Sequence, residues 1–248
     1  MARPRTPQGR ARETSIRLAE EYPGSAADLC ALNFDNPYQL LVATVLSAQT
    51  TDTRVNLVTP AVFARYPTPA HLAAAEPGAL EEIIHSTGFF RAKARSLIGL
   101  GRVLSESFGG DVPTSIDDLV TVPGVGRKTA NVLRSVALGQ PGLPVDTHVS
   151  RLTQLLGITT ATDPEKIEAE VGGYLPAAQW GAFSLRLILH GRRVCVARRP
   201  RCGECLLADF CPSAQLPTRS ATRAPESVVR PRPPRPPRPG GPGGAGRR

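Results

Sequence analysis

The sequence VPGVGRKTA, residues 122–130, places two glycines, an arginine and a lysine between two helical patterns. A short helix containing Asp117 and Asp118 precedes it and must end at the Val-Pro dipeptide, because a residue before proline avoids the α region. An amphipathic pattern then begins at Arg127 and continues to Leu138. A helix, a glycine-rich turn and a second helix in this order predict a helix-hairpin-helix.

This turn is suited to bind an anion, since free backbone N–H groups and the positive end of the dipole meet at a helix N-terminus. The mononucleotide P-loop is excluded, because Arg127 separates Gly126 from Lys128. The dinucleotide fingerprint is excluded too, because its glycine spacing and its preceding strand are missing. We expect contacts to a DNA backbone phosphate, which read no base sequence, although such a turn can equally be structural. The residues expected to make these contacts are Gly124, Val125, Gly126 and Arg127.

Helical periodicity dominates the rest of the chain. Residues 90–108 repeat apolar side chains at helical spacing, and Arg91, Lys93, Arg95 and Arg102 fall largely on the other face. No stretch alternates with period two for long enough to form a strand, so the sequence predicts an all-α fold. Similar helical patterns cover residues 14–22, 38–48, 54–66, 79–85, 127–138, 147–156, 164–171 and 178–194.

The net charge of +9 lies at the two ends of the 248-residue chain. Residues 1–12 carry four arginines and no acid, and residues 216–248 carry eight arginines against Glu226. We expect a disordered basic arm over residues 1–12 and a disordered Arg/Pro/Gly-rich tail over residues 213–248, because such composition buries little apolar surface. The tail either attracts nucleic acid through counterion release or is only a solvated segment.

We expect a cytoplasmic protein associated with the nucleoid through DNA. No apolar stretch approaches the roughly 20 residues that cross a bilayer, and the Arg-rich start lacks the apolar core of a signal peptide. Stable disulfides are disfavoured in that compartment, so the five cysteines need another explanation.

Four of these cysteines lie in CVARRPRCGECLLADFC, residues 195–211. Spacings of six, two and five residues indicate metal ligands, and four thiolates suit either tetrahedral zinc or a 4Fe-4S cluster. Cys30 lies on an apolar segment and is interpreted as a buried structural thiol. The candidate ligands are Cys195, Cys202, Cys205 and Cys211.

Three arginines lie between the first two candidate ligands. A loop tied to a metal and carrying Arg198, Arg199 and Arg201 is typical of a phosphate-binding protrusion. The same charges can instead compensate the thiolates, and the two roles are compatible.

Several motifs together resemble the endonuclease III family of bifunctional DNA glycosylases and AP lyases. They are LVTVPGVGRKTANVL, then VDTH at residues 145–148, then the cysteine pattern, with LLVATVLSAQTTD, TGFFRAKA and LILHGRRVC also in order. The resemblance covers roughly residues 13–212 and implies a 4Fe-4S cluster in place of zinc. It also implies a two-lobed helical body with DNA in the cleft, the lobes being residues 28–140 and residues 13–27 plus 141–212.

By this resemblance Lys128 is the nucleophile that attacks C1′ of the damaged nucleotide, displaces the base and forms a Schiff base that permits β-elimination. Asp146 matches the family's essential carboxylate, which stabilises positive charge on the sugar. Taken alone, Asp146 is also a good helix N-cap. His148 either supports Asp146, contacts phosphate or is structural.

The resemblance also implies residues that fill the space of an extruded nucleotide. Gln49 matches the family's inserted glutamine. The alternative is that Gln49 is an ordinary turn residue. Where the family often carries Leu-Tyr, this chain has Phe89 and Phe90, so Phe89 is the candidate wedge and Phe90 is a candidate for core packing.

The function expected from the sequence is base-excision removal of oxidised pyrimidines from damaged double-stranded DNA, followed by strand cleavage at the AP site. We expect a monomer that does not bind membranes. One alternative is a monofunctional adenine-mismatch glycosylase, whose branch lacks the hairpin lysine and carries a long globular C-terminal domain. The other is a catalytically silent DNA-binding paralogue.

Overall fold

The computed structural model describes residues 3–216, which form α-helices joined by short turns and contain no strand, as the periodicity predicted. Most of the helices begin at a side chain that accepts a hydrogen bond from a first-turn amide, and five carry proline in that turn. They are α1 (Pro7–Glu21), α2 (Pro37–Leu46), α3 (Asp52–Arg65), α4 (Pro69–Ala73), α5 (Pro77–Ile84), α6 (Phe90–Ser107), α7 (Ile116–Leu119), α8 (Arg127–Val136), α9 (Thr147–Leu155), α10 (Pro164–Tyr174) and α11 (Trp180–Arg193).

Helix α1 begins earlier than the sequence predicted. The Thr6 side chain accepts a hydrogen bond from the Gly9 amide at 3.1 Å, and Pro7 occupies the first turn. Ala11 is fully buried, and Arg10 donates to the carbonyl of Gly157 at 3.2 Å. The expected disorder of residues 1–12 is therefore wrong for residues 7–12, since an N-cap and a buried alanine outweigh the basic composition.

The apolar side chains form two cores. The first core draws its buried residues from 32–136, and the second core draws them from 11–22 and 143–211. Helix α1 thus belongs with the C-terminal helices, since it packs against α10 and α11. The lobe boundaries drawn from the sequence remain predictions.

The two cores are joined by close packing and by charge. A Cβ atom on Gly181 in α11 would lie 2.4 Å from the Cβ of Ser135 in α8, so the missing side chain lets these two helices approach closely. Arg192 at the end of α11 pairs with Asp52 at the start of α3, with an N–O distance of 3.1 Å. The first contact links the hairpin helix α8 to α11, and the second links α3 to α11.

Within residues 3–216, no helix combines the length and apolarity required to cross a membrane. The predicted disordered tail falls mainly on residues 217–248, which lie outside the described residues. The first residues of the predicted tail, 213–216, are described by the structure, and the Ala214 amide donates to the carbonyl of Cys211 at 3.2 Å.

Candidate active site and nucleic-acid interface

The predicted hairpin is present between α7 and α8. The Ser115 side chain caps α7, and the Val125 amide donates to the carbonyl of Val122 at 3.0 Å across the turn. Gly124 has a φ of +83°, and a Cβ there would lie 3.2 Å from that of Ser96, so the turn requires glycine. Gly126 is the N-cap of α8 and offers no side chain, so its first-turn amides lack a capping oxygen and suit an anion.

Lys128 and Asp146 line one open cleft of about 600 Å³. Lys128 is exposed and is the second residue of α8. Asp146 is the N-cap of α9, and its Oδ1 accepts from the amides of His148 and Val149, each at 2.9 Å. The cap fixes the carboxylate, so a capping role and a role in the cleft coexist.

Lys128 differs in its surroundings from the other lysines of the chain. The sequence has three, at positions 93, 128 and 166. Lys93 is 5% exposed and its ammonium group is hydrogen-bonded to protein atoms, whereas Lys166 is exposed on α10. Lys128 is the lysine that lines the cleft beside Asp146.

Arg127 has a protein partner that the sequence did not indicate. Its Nε and Nη2 donate to the two carboxylate oxygens of Glu168 in α10, both at 2.9 Å. Asn131 donates to the same carboxylate at 3.0 Å, and the ion pair raises the pKa of Arg127. The sequence predicted a phosphate contact for Arg127, but in the structure its guanidinium binds the Glu168 carboxylate. This ion pair connects the hairpin helix α8 to α10.

Gln49 and Phe89 share an unusual backbone conformation. In the part of the chain that the structure describes, they are the two non-glycine residues with positive φ, at +54° and +46°. Gln49 is exposed in the turn after α2, and Phe89 is 68% exposed directly before α6. A left-handed conformation costs about 1–2 kcal/mol per residue, so contacts around each residue must offset that cost. Phe90, by contrast, packs partly buried against the first core.

Lys93 lies on the opposite face of α6 from the one that the sequence predicted. We had placed it on the polar face of α6, but it is buried on the same stripe as Leu97, Leu100 and Leu104. The spacing of four, three and four residues between these positions is the signal that could have shown this. Burial lowers the pKa of Lys93.

His148 does not contact the Asp146 carboxylate through its ring. Its Nδ1 lies 3.4 Å from Nη2 of Arg151, and burial lowers the pKa of the imidazole. The His148 backbone amide supports Asp146 instead. Arg151 was also missed by the sequence reasoning, and it lines the cleft while its Nη1 lies 3.7 Å from Sγ of Cys195.

The four predicted ligand cysteines line one cavity of about 180 Å³. Among residues 3–216, no three His, Cys, Asp or Glu side chains converge closely enough to hold a single metal ion. Four thiols around a common space fit a larger group such as an iron-sulfur cluster better than zinc. Buried Leu207 and Phe210 anchor this loop in the second core, and Nε2 of His190 lies 3.3 Å from Sγ of Cys205.

The three arginines of this loop are used differently. Arg198 and Arg199 are exposed. Arg201 is bound to protein groups, since it pairs with Glu204 at 3.2 Å and donates to the carbonyl of Arg193. Arg198 and Arg199 thus project from the cluster loop, whereas Arg201 braces it.

An all-helical body with a hairpin and a cysteine-lined loop defines a base-excision DNA repair protein of the helix-hairpin-helix class. Residues 42–177 match the family model of the HhH-GPD superfamily base excision DNA repair protein, and residues 195–211 match the iron-sulfur binding domain of endonuclease III. Endonuclease III of Synechocystis sp. is 53% identical over 207 residues, which cover 83% of this chain and 93% of that relative.

Two solved structures are similar at 38% identity and a TM-score of 0.77, covering 84% of this chain and 96% of theirs. One is a non-covalent endonuclease III–DNA complex, and the other is a trapped covalent intermediate of endonuclease III with DNA. The chain belongs to the endonuclease III family. It is a base-excision repair DNA glycosylase and AP lyase with a 4Fe-4S cluster, as its motifs predicted.

Proposed function

We propose that this enzyme removes oxidised pyrimidines from damaged double-stranded DNA and then cleaves the strand at the resulting AP site, with Lys128 as the nucleophile. The observation that carries the proposal is the cleft in which Lys128 and Asp146 meet, one from each of the two cores. A nucleophile and a fixed carboxylate on facing helix N-termini are the groups that this chemistry requires.

Lys128 acts as a neutral amine. Its Nζ bonds to C1′ as the bond from C1′ to the base breaks, and the base leaves with the electron pair. Ring opening then gives the Schiff base, and loss of a C2′ proton releases the 3′ phosphate.

Asp146 stabilises the positive charge that develops on the sugar. Two backbone amides hold its Oδ1, so the carboxylate is oriented before DNA binds. This orientation removes a reorganisation cost at the moment of reaction.

The hairpin amides around Gly124, Val125 and Gly126 bind a backbone phosphate and position the duplex. Arg198 and Arg199 add phosphate contacts from the cluster loop. Gln49 and Phe89 occupy the space that the extruded nucleotide leaves, Gln49 by hydrogen bonding to the orphaned base and Phe89 by stacking. His148 contributes through its backbone amide.

The cysteines Cys195, Cys202, Cys205 and Cys211 hold the cluster, which ties the loop of residues 195–211 into one fold when bound. The partner is duplex DNA, the enzyme works at the nucleoid where that DNA lies, and it acts as a monomer.

Borohydride trapping tests this proposal. The enzyme is incubated with a duplex that contains one thymine glycol, and the reductant converts a Schiff base into a covalent complex. We expect a complex with the wild-type enzyme and with Lys166→Met, and none with Lys128→Ala. A complex that persists in Lys128→Ala would show that another amine is the nucleophile.

A matched substrate separates lesion choice from chemistry. If thymine glycol gives no complex but a preformed AP site does, the lyase chemistry stands and the proposed oxidised-pyrimidine substrate is wrong. If neither substrate is trapped while DNA still binds, the chain is a silent paralogue.

A further inference from the structure

Two turns with strained backbone lie side by side at the edge of the first core, since the Thr50 hydroxyl of one donates to the Thr87 carbonyl of the other. The turn with Gln49 follows α2, the turn with Phe89 precedes α6, and both residues adopt left-handed backbone conformations. Such a conformation persists only where the surrounding contacts enforce it. Some group must therefore hold both turns in place.

The ammonium group of Lys93 contacts both turns. Its Nζ donates to the carbonyl of Leu46 at 2.8 Å, to Oγ1 of Thr50 at 2.8 Å and to the carbonyl of Thr87 at 2.7 Å. Leu46 and Thr50 flank Gln49, and Thr87 lies two residues before Phe89. All three N–H bonds of the ammonium group are thus used within the protein.

A second link joins the same two turns. The Thr50 hydroxyl donates to the Thr87 carbonyl, which also accepts from Lys93. One cation, one hydroxyl and one carbonyl therefore form a closed set of hydrogen bonds between the two segments. Hydrogen bonds to a charged donor are stronger than neutral ones, so this set holds the turns more firmly than backbone contacts alone.

Core packing does not explain a lysine at this position. Lys93 is 5% exposed, and no carboxylate within residues 3–216 lies within 4.0 Å of its ammonium group. Burying an unpaired charge is costly, and a leucine would fill the stripe of α6 without that cost. What the lysine adds is the hydrogen-bonded link between the turns, with its charge solvated by the Leu46 carbonyl at the C-terminal end of α2 and by the Thr87 carbonyl.

We propose that Lys93 is a positioning residue that holds Gln49 and Phe89 at a fixed separation, so that the two side chains enter the duplex together. The inference rests on the roles proposed above for Gln49 and Phe89. It adds that the two residues act as one rigid unit, whose geometry is set before DNA binds by a residue that does not touch DNA.

The test is a double-mutant cycle on single-turnover excision of thymine glycol from a duplex. The enzymes are the wild type, Lys93→Met, the pair Gln49→Ala with Phe89→Ala, and all three changes together. We expect the pair to lower the rate constant by about 10- to 100-fold, the loss typical of a misplaced reacting geometry. We expect Lys93→Met to lower it to a similar degree, and the triple variant to be within about threefold of the pair, since residues that act as one unit are not additive.

A fluorescent base provides the second readout. 2-Aminopurine placed opposite the lesion brightens when it loses its stacking partners, which reports insertion directly. At saturating enzyme, Lys93→Met should lose most of this increase while it still binds the duplex. If Lys93 were purely structural, the fluorescence increase per bound complex would be the same in Lys93→Met as in the wild type. The rate losses of Lys93→Met and of the Gln49 and Phe89 pair would then multiply in the triple variant. Either result overturns the inference.

Milder variants guard against simple misfolding of Lys93→Met. Thr50→Val removes the hydroxyl link but keeps the lysine and the side-chain shape, and it should lower the fluorescence increase, whereas Thr50→Ser should restore it. Arg102→Met removes an exposed cation from the same helix and should change neither readout. If Thr50→Val and Lys93→Met both behave as wild type, the link between the turns has no effect and the inference is wrong.

The cycle also separates this inference from the proposed function. If Gln49→Ala with Phe89→Ala leaves both readouts at wild-type values, the roles proposed for those residues are wrong, and the inference falls with them. If that pair impairs both readouts and Lys93→Met impairs neither, only the inference about Lys93 is wrong.

Discussion

Replacing Glu168 by glutamine removes one charge from the bridge between α8 and α10. Glu168 accepts two hydrogen bonds from Arg127 at 2.9 Å and one from Asn131 at 3.0 Å, and its side chain is 13% exposed. Glutamine has a similar shape and can still accept from Asn131. The change therefore isolates the charge from the packing.

The expected magnitude follows from this geometry. Hydrogen bonds to a charged group contribute about 1.5–3 kcal/mol, but Arg127 is 42% exposed, so solvent screens part of the interaction. We estimate a coupling of about 1–1.5 kcal/mol between Arg127 and Glu168. For a chain of this size each kcal/mol shifts the thermal midpoint by about 2–4 °C, so the coupling corresponds to about 2–6 °C.

Thermal unfolding at a fixed scan rate measures this coupling in a cycle of wild type, Glu168→Gln, Arg127→Met and the double variant. Glu168→Gln should lower the midpoint in the wild-type background and shift it by less than about 1 °C when Arg127 is already methionine. High salt should reduce the effect without abolishing it. Equal shifts in both backgrounds would show that the bridge contributes nothing, and that Arg127 is free to contact phosphate as the sequence suggested.

Three further outcomes are expected. Phe89→Gly should raise the thermal midpoint by about 1–3 °C, because relief of the left-handed strain exceeds the entropy cost of glycine. The same variant should excise the base more slowly. A lower midpoint would contradict the strain argument. Because burial lowers the pKa of His148, the folded state binds fewer protons than the unfolded state just below pH 6.5, so stability should fall from pH 7 to pH 5.5. The fall should be smaller in His148→Gln, and an identical pH dependence in both proteins would refute it. Removing the iron should release Leu207 and Phe210 from the second core and expose residues 195–211 to trypsin; unchanged resistance to cleavage would show that the loop folds without the cluster.

Local chemistry made part of the site predictable from the sequence. The hairpin turn depends on glycines with distinct backbone roles, the cysteine spacing is set by one shared group, and Asp146 precedes a helix that it caps. Each of these features is encoded within about 20 residues.

Other features depend on residues that meet only in the folded chain. Glu168 lies 41 positions after Arg127, so no local pattern links the two. The left-handed turns at Gln49 and Phe89 were not predictable, because a non-glycine residue gives no sign of positive φ. Helix α4, with five residues, is too short for its periodicity to be recognised.

Two errors came from giving composition more weight than pattern. The arginines near the N-terminus suggested disorder, although Thr6 and Pro7 form a helix start signal. Lys93 was assigned to the polar face because it is charged, although its spacing to Leu97 places it on the buried stripe. In both places the periodic pattern was correct and the residue type was misleading.

The placement of α1 in the second core has a consequence for biosynthesis. Its partners begin at Leu143, so at about 5–20 residues per second the ribosome needs on the order of ten seconds to deliver even the first of them. Meanwhile the first core, built from a continuous segment, can assemble as it emerges. Helix α1 is therefore translated well before its partners and can dock only when they emerge, and until then Ala11 and Leu18 are open to whatever binds a nascent chain.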